Sequence, residues 1–432
     1  MKDYVIKCGK LIDGTGRSSL KNANILVKNE RIARVEGDGR GDLDNYPRVI
    51  DLSGKTVMPG LIDSHRHIFN CGGSGVGVGL NFSQVRENLR QIYMGGVTSI
   101  LDLGSGYIIR GADRVIHRKS RLFYAISILT CPQGYPQEYM PKKFYKMGSV
   151  IECATEGEIR KTVKKLSRMG VSAIKTAVVS RTFDGRPQVC WRDRLLQTLT
   201  DEAHSHGLKV CAHITYTEDY AQAARCGIDS IHHAAFDGAM HAKDIDTMIE
   251  RGIVFVPTLS LIDLMVRGLE ERGIYDSHYN PPVNEIIKKN MQDFTDAFHG
   301  CPNDEPVGDL FIKAPKHELL TTPQIQLENV KEYIRRGGTV AMGTDASLGF
   351  SLHTTPVREV ELLAEAGLSN IDAIRASTLT AASVFGREHE IGSIEAGKYA
   401  DLIAIDGDVE YDLSSLGNIK MVFIGGKIVH KV

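Results

Sequence analysis

The sequence lacks the features that mark membrane, secreted and nucleic-acid-binding proteins. It has no run of about 18 apolar residues and no apolar stretch of roughly 7–15 residues near its N-terminus, so we expect neither a membrane span nor a signal peptide. It also lacks an excess of charge of either sign, because 52 Lys and Arg stand against 53 Asp and Glu, for a net charge of −1. This balance predicts neither nucleic acid nor an anionic membrane as a partner.

Cysteine motifs are missing as well. The eight cysteines are scattered along 432 residues, and none forms a Cys-x-x-Cys pair. In a long chain without a secretory signal, such cysteines are typical of reduced thiols in the core of an enzyme. The pattern therefore predicts a cytoplasmic location.

What the sequence does contain is a β-rich region at each end. Short strand patterns bounded by Gly, Asn and Asp turns occupy the first 58 residues, and similar patterns return after residue 386. Gly425 and Gly426 mark a hairpin near the C-terminus. We therefore expect a small β-sandwich domain that is formed by both termini, from residues 1–58 and 386–432.

The middle of the chain, residues 59–385, alternates short apolar runs with helical patterns, many of which end in glycine. Strands alternating with helices imply a parallel sheet, and eight strands close a TIM barrel. We predict an α/β fold, a TIM (β/α)8 barrel, with an open doubly wound sheet as the alternative. A long polar stretch, 262–322, predicts an insertion over the active face. The eight apolar runs are 61–67, 97–103, 122–128, 173–178, 209–214, 230–233, 254–259 and 340–345.

Polar residues stand at the carboxyl ends of several predicted strands. The first strand ends in His65 and His67, and residues two apart point to the same side of a strand, so the two imidazoles face together. Such a pair is a natural ligand set for a borderline-soft divalent cation, with two packed histidines as the alternative. The other strand residues of this kind are Lys175, His213, His232, His233 and Asp345.

Lys175 lies inside the apolar fourth strand, where a buried ammonium group costs roughly several kcal/mol unless it is paired. Either an acid pairs with it or its charge has been removed. The carboxyl ends of barrel strands meet on one face, which is where barrel enzymes hold their catalytic groups. The strand-end residues are therefore expected to converge, and core histidines at all of these positions are a poor explanation.

Five segments carry a resemblance to a known family. In this order, and together with the tail at 392–403, they resemble the amidohydrolase superfamily over almost the whole chain. The resemblance implies a metal-dependent hydrolase on a TIM barrel. The segments are 58–67 (MPGLIDSHRH), 173–175 (AIK), 210–213 (VCAH), 227–233 (GIDSIHH) and 343–345 (GTD).

By this resemblance, the strand-end residues form a binuclear centre with two divalent metal ions. His65, His67 and Asp345 would hold one ion, while His213 and His233 would hold the other. The preference of Zn²⁺ for imidazole makes zinc the expected metal.

The resemblance also implies that Lys175 is N-carboxylated, which gives a carbamate that bridges both ions. This accounts for a lysine in an apolar strand, because carboxylation replaces a cation with an anion that the metal ions neutralise. The two ions would lower the pKa of a shared water towards neutrality. The metal-activated hydroxide would attack the carbonyl, and Asp345 would pass the proton to the leaving amine.

Within the superfamily, the chain is most similar to the prolidase-like group, which hydrolyses dipeptides and N-acyl amino acids. It departs from that group at three positions. Thr215 stands where the group often has tyrosine, and His232 stands where it usually has glutamate. Arg66 is larger than the usual residue between the two histidines of the first strand. These departures concern the substrate rather than the metal site.

Three further residues are candidates for binding substrate. His353 follows the eighth strand, Tyr216 can donate to a substrate carboxylate or oxyanion, and Arg181 can pair with a carboxylate. A solvated surface role is the alternative for His353 and Arg181. His232 points to the other side of its strand from its neighbour and is expected to pack.

We therefore expect a hydrolase that cleaves an amide or peptide C–N bond of a small molecule. The family resemblance adds the expectation of a homo-oligomer. A cyclic-amide (imidazolone-type) hydrolase or a deaminase on the same site is the alternative, although such deaminases more often use a mononuclear site without the lysine. A non-catalytic scaffold is a third reading, which the retention of all six candidate ligands disfavours.

Overall fold

A computed structural model gives the fold of the chain. His353 and most of the predicted insertion 262–322 lie outside the residues that the structure describes. Within the described part, no helix combines the length and the apolar character needed to cross a bilayer. The described residues are 3–37, 48–69, 82–111, 120–137, 140, 142–270, 295–296, 298–303, 305, 315–346 and 356–432.

Strands occupy both ends of the chain, and strands alternate with helices between them. The described strands are β1 (Tyr4–Leu11), β2 (Leu20–Lys28), β3 (Arg31–Glu36), β4 (Val49–Pro59), β5 (Leu61–Arg66), β6 (Val97–Asp102), β7 (Arg121–Tyr124), β8 (Ile128–Thr130), β9 (Val150–Glu152), β10 (Ala173–Ala177), β11 (Lys209–His213), β12 (Ser230–His232), β13 (Val254–Val256), β14 (Thr339–Val340), β15 (Leu402–Ile405), β16 (Ile419–Ile424) and β17 (Lys427–Lys431). The described helices are α1 (Phe82–Met94), α2 (Lys142–Lys146), α3 (Glu156–Arg168), α4 (Asp193–Ser205), α5 (Tyr220–Arg225), α6 (Ala242–Glu250), α7 (Leu259–Leu269), α8 (Lys316–Arg335), α9 (Pro356–Glu365), α10 (Asn370–Ala376) and α11 (Leu379–Ser383).

Both ends of the chain contribute to one mixed sheet of seven strands. Its order is β17-β16-β15-β4-β1-β2-β3, and only the β1–β4 pair is parallel. Apolar side chains from both ends, such as Ile6, Leu402 and Phe423, share one buried cluster. Ile32 N also donates to Lys398 O over 2.8 Å, so β3 bonds to the segment that precedes β15. The two ends of the chain therefore form one sheet, and its edge strand β3 also contacts the segment before β15 in the same sheet.

Parallel strands make up the middle of the chain, in two sheets. One has the order β14-β13-β12-β11-β10-β8-β9, and the other has the order β5-β6-β7. The third predicted strand, 122–128, is split, because Ile126 between β7 and β8 has a φ of +64°. A β-branched residue in this region interrupts a strand, so β7 pairs with β6 while β8 pairs with β10. The α/β fold is confirmed, but the described strands form two sheets rather than the single closed barrel that we predicted.

Helix α3 illustrates how the sequence sets the connections between the parallel strands. It begins with a capping box, in which the Thr155 side chain accepts from Glu158 N and the Glu158 carboxylate accepts from Thr155 N. This arrangement satisfies two backbone donors that the first turn leaves open. Ile159 and Val163 are buried on its inner face. The helix ends before Gly170, whose φ of +80° lets the chain turn towards β10.

A single glycine joins the mixed sheet to the first parallel strand. Gly60 lies between the end of β4 and the start of β5, and its N–H donates to Asp401 O over 3.0 Å. A Cβ added at this position would lie 2.2 Å from the side chain of Thr98, so no larger residue fits there without rearrangement. The start of the strand that carries His65 is therefore fixed by the mixed sheet.

A fully buried ion pair connects β5 with the segment after β14. Arg66 Nε donates to Asp63 Oδ2 over 2.7 Å, and both side chains have no exposed surface. Thr344 N and Thr344 Oγ1 also donate to Asp63, over 3.0 Å and 2.6 Å. Arg66 Nη2 donates to Thr344 Oγ1 over 3.2 Å, so Asp63 and Arg66 together hold the eighth predicted strand against the first.

Replacing Arg66 with methionine is expected to lower the free energy of unfolding by about 3–5 kcal/mol, because Asp63 would keep its charge without its buried cation. Urea denaturation followed by circular dichroism measures this loss. Arg335→Ala is the matched control, since Arg335 pairs with Glu332 on the surface of α8. We expect no shift of its unfolding midpoint. Equal midpoints for Arg66→Met and the wild type would show that the buried pair contributes nothing.

Candidate metal centre

Five of the six predicted ligands lie close together at the carboxyl ends of the parallel strands. Asp345 Oδ1 lies 3.4 Å from His67 Nε2 and 3.7 Å from His65 Nε2. The rings of His65 and His233 have centroids 4.8 Å apart, and those of His213 and His233 are 4.3 Å apart. Histidines from the first, fifth and sixth predicted strands thus meet the aspartate of the eighth, as the strand-end pattern predicted.

Lys175, the sixth candidate, is buried in the middle of β10 and paired in register with Cys211 of β11. Burial is the main cause of the lowered pKa of His65 and His213 and of the raised pKa of Asp345, and the Lys175 charge adds to the first two shifts and opposes the third. The six predicted residues are therefore close enough for their charges to influence one another.

Two of these residues adopt a left-handed backbone. His233 has a φ of +76° and Asp345 a φ of +48°. Such a conformation costs on the order of 1–3 kcal/mol per residue and persists only where the surroundings fix it. Here the backbone N–H of His233 donates to Val256 O over 2.9 Å, and that of Asp345 donates to His65 O over 2.8 Å. The fold holds two strained residues at one place, as is common at functional sites.

Four buried polar atoms at this place have no hydrogen-bond partner among the described residues. An unpartnered buried polar atom normally costs about 1–3 kcal/mol, so four in one place call for an explanation. Divalent cations provide one for the two imidazole nitrogens and the carboxylate oxygen, because they take the lone pairs of these groups, whereas the lysine nitrogen would have to be carboxylated first. The ligand atoms of His65, His233 and Asp345 lie within 4.8 Å of one another, which is close enough for all three to belong to one metal centre. The four atoms are Lys175 Nζ, His213 Nε2, His233 Nε2 and Asp345 Oδ1.

The electrostatics of the site favour neutral ligands. Burial lowers the pKa of His65, His213 and His233 well below 6.5, so these imidazoles keep their lone pairs at neutral pH. Burial also lowers the pKa of Lys175 and raises the pKa of Asp345. Isolated charges on these two groups are therefore unfavourable in this place. A bound cation together with a carboxylated lysine would relieve both pKa shifts.

Side chains that are not candidate metal ligands themselves hold the histidine rings in place. His233 Nδ1 lies 2.8 Å from Thr258 Oγ1, which leaves Nε2 as the nitrogen that can bind a metal. Thr258 precedes α7, and the buried carboxylate of Glu359 accepts from the first two backbone N–H groups of that helix, over 3.1 Å and 2.6 Å. The ring of Tyr135 stacks on His213 with centroids 4.1 Å apart.

Sequence reasoning missed the roles of Thr258 and Tyr135. Neither lies in a pattern that a periodicity argument can use, because their importance depends on contacts with other strands.

Of the predicted substrate-binding residues, Tyr216 donates to Thr182 O over 2.6 Å, and Arg181 makes two hydrogen bonds with Glu218 on the surface. Their roles towards substrate stay predictions, as does that of His353, which lies outside the described residues.

The comparison with known families decides the classification. Residues 56–429 match the model of the amidohydrolase family, which is most of the chain. The chain belongs to the amidohydrolase family. This amidohydrolase is a hydrolase that acts on carbon–nitrogen bonds, and its family is metal-dependent.

Relatives of this amidohydrolase differ in the reactions that their names state. A protein named "Probable imidazolonepropionase" from Xenopus tropicalis is 22% identical, with 100% of this chain and 96% of the relative covered. A 5-methylthioadenosine/S-adenosylhomocysteine deaminase from Symbiobacterium thermophilum is 23% identical, with 100% and 94% covered. A solved structure of a Xaa-Pro dipeptidase with methionine bound in its active site has a TM-score of 0.76 and 23% identity, and both chains are covered completely. At this level of identity, the structural likeness establishes the fold of the amidohydrolase and leaves its substrate open.

Proposed function

We propose that this amidohydrolase hydrolyses the amide bond of a small dipeptide or N-acyl amino acid. The observation that carries the proposal is the group of buried polar atoms on Lys175, His213, His233 and Asp345 that have no hydrogen-bond partner in the described part of the chain. A Xaa-Pro dipeptidase among the similar structures supports the choice of substrate class.

The metal site of this proposal has two divalent ions, with zinc at both positions. Its chemistry suits the donors present, since neutral imidazoles and one carboxylate are typical zinc ligands. Lys175 in its carboxylated form would supply the bridging anion, which its buried and unpartnered Nζ favours. One ion would be held by His65, His67 and Asp345, and the other by His213 and His233.

Bound metal would supply a Lewis acid and a more acidic water. Asp345 is then the group that takes a proton from the water and delivers it to the leaving amine. Its Oδ1 is buried and has no hydrogen-bond partner among the described residues. Burial raises the pKa of Asp345 in the metal-free protein, and a bound cation would lower it again, so the carboxylate would be ready to accept a proton at neutral pH. The neutral histidines hold their positions without competing for that proton.

The proposed site also requires the two parallel sheets to act as one (β/α)8 barrel. Hydrogen bonds at both junctions support this. Ser64 N donates to Met342 O over 3.1 Å, and Ser172 N donates to Tyr124 O over 2.8 Å. With the barrel assigned to residues 59–385, the β region of 1–58 and 386–432 forms the second domain of the proposal. Homo-oligomerisation and a cytoplasmic location stay predictions.

A cyclic-amide hydrolase or a deaminase is the second candidate, and the curated relatives that match along the whole chain favour it. The three reactions differ in their mass balance. A dipeptide gives two fragments that together gain one water, a cyclic amide gives one product that gains one water, and a deaminase exchanges an amino group for oxygen with release of ammonia. One chromatographic assay with mass detection therefore separates them.

The test is a panel of dipeptides, N-acyl amino acids, cyclic amides and aminopurines, incubated with the zinc-loaded protein. We expect turnover of Xaa-Pro or N-acyl substrates into two fragments, and no release of ammonia from the purines. The control is the same preparation after removal of metal with a chelator, which should be inactive until zinc is restored. Ring opening or deamination without any dipeptide cleavage would replace the proposed substrate class by the second candidate.

A further inference from the structure

His232, which the strand pattern predicted to pack, makes a polar contact with a candidate metal ligand. Its Nδ1 lies 3.0 Å from Nδ1 of His65, and its Nε2 lies 3.0 Å from Ser230 Oγ. All three side chains are buried, and the rings of the two histidines meet edge to face with centroids 4.8 Å apart. Both nitrogens of His232 are therefore occupied by protein groups.

The positions of the protons along this chain of contacts follow from these distances once a cation takes the Nε2 lone pair of His65. Two ring nitrogens at 3.0 Å share one hydrogen, so one of them donates and the other accepts. His65 Nε2 lies 3.7 Å from Asp345, on the side of the proposed cation, which needs the lone pair of that nitrogen. Its Nδ1 must then carry the hydrogen and donate to His232. The hydrogen of His232 is consequently on Nε2, where Ser230 Oγ accepts it.

The hydroxyl hydrogen of Ser230 completes the chain. Since Ser230 Oγ accepts from His232, its own hydrogen must go elsewhere. Cys211 is the register partner of Ser230 in the parallel pair of β11 and β12, so the two buried side chains lie side by side and the Cys211 sulfur can accept that hydrogen. The donors are therefore His65, His232 and Ser230, in that order, and each has an acceptor.

We propose that His232 is a positioning residue, which accepts the Nδ1 hydrogen of His65 and thereby fixes the tautomer that presents the Nε2 lone pair to a divalent cation. Ser230 in turn fixes the tautomer of His232. This inference rests on the metal site of the proposed function, but not on its substrate. His232 is not itself a ligand in this arrangement, because neither of its nitrogens is available.

A contact of this kind has a measurable effect on metal binding. Residues that hold a metal-binding histidine typically contribute about 10–100-fold to metal affinity. A merely structural role for His232 would change stability and leave zinc affinity as it is. The two roles are therefore separated by a pair of variants that disturb packing alike and differ only in the acceptor.

His232→Asn and His232→Leu are such a pair, because the two side chains have the same branching and the same number of heavy atoms, and only asparagine offers an oxygen near the position of Nδ1. Zinc affinity is measured by competition with a chromophoric chelator, and the thermal midpoint of the metal-free protein is measured alongside. We expect His232→Leu to bind zinc about 10–100-fold more weakly than the wild type, and His232→Asn to recover most of that loss. The metal-free midpoints should fall by similar amounts.

Ser230→Ala provides a second test if the leucine variant does not fold. It removes the acceptor for His232 Nε2 and should weaken zinc binding in the wild-type background. In the His232→Asn background it should have no further effect, because the ring that Ser230 orients is gone. Equal zinc affinities for the leucine and asparagine variants, or equal effects of Ser230→Ala in both backgrounds, would overturn the proposal, as would a wild type that binds no zinc. A wild type that binds zinc but cleaves no dipeptide overturns only the proposed substrate.

Discussion

Lys175→Ala is expected to lower kcat/KM by about 10³-fold or more, because it removes the anion that would bridge two metal ions. The zinc content should fall below that of the wild type, for which the proposed site predicts two ions per chain. Elemental analysis of both proteins, prepared alike, measures the metal, and the best substrate of the panel measures the rate. The alanine variant should fold, since burial of Nζ without a hydrogen-bond partner gives the lysine no evident stabilising role in the described structure.

The matched control for this experiment is Lys161→Ala, which removes an exposed lysine from α3. Its metal content and activity should equal those of the wild type. Lys175→Arg adds a second comparison, because arginine keeps the positive charge and cannot form the carbamate. If Lys175→Ala retains the wild-type metal content and rate, the bridging role is wrong. One ion per chain in both proteins would favour a mononuclear site and the deaminase alternative.

Asp345→Asn is expected to lower kcat by about 10²–10⁴-fold, the usual contribution of a positioned acid or base. Asparagine keeps an oxygen that can bind metal but cannot accept the proton of the attacking water. Because Asp345 must be ionised to act, the rate of the wild type should fall as the pH drops through its pKa. Burial raises this pKa in the metal-free protein and bound zinc would lower it again, so the acid limb reports the pKa of the carboxylate in the zinc-loaded protein. A profile of kcat against pH should show this acid limb in the wild type and not in the variant.

Asp201→Asn is the control for this change, since Asp201 is exposed on α4 and contacts Gln197. It should leave both rate and pH profile unaltered. Zinc content is measured on both variants. Loss of zinc together with activity in Asp345→Asn would assign the residue to metal binding alone. Full activity with retained zinc would mean that another group carries the proton.

The convergence of the candidate ligands could be predicted from the sequence, because it depends on two local rules. Alternation along a strand places His65 and His67 on one side, and parallel strands bring their carboxyl ends to one edge. His213 and Asp345 follow by the same rules. These residues therefore meet in the structure although they are far apart in the chain.

The features that could not be predicted depend on register and backbone conformation. The contact between His65 and His232 joins residues 167 positions apart, and alternation along β12 says only that His232 and His233 differ in direction. The break at Ile126 divides one predicted strand between two sheets, because a positive φ leaves no trace in hydrophobic periodicity. Substrate preference is hidden for a related reason, since it lies in loops whose conformation the strand pattern does not determine.

The sheet built from both termini sets an order for the biogenesis of the protein. β4 has β1 on one side and β15 on the other, so during synthesis one edge of β4 stays open until β15, more than 300 residues later, has left the ribosome. An open edge of this kind is a site for mispairing with other chains. Gly60 ties β4 directly to the strand that carries His65 and His67. The strand that carries these two histidines therefore starts from a sheet that is completed only after β15 has been made, and we expect nascent chains that stall before β15 to bind chaperones at the open edge.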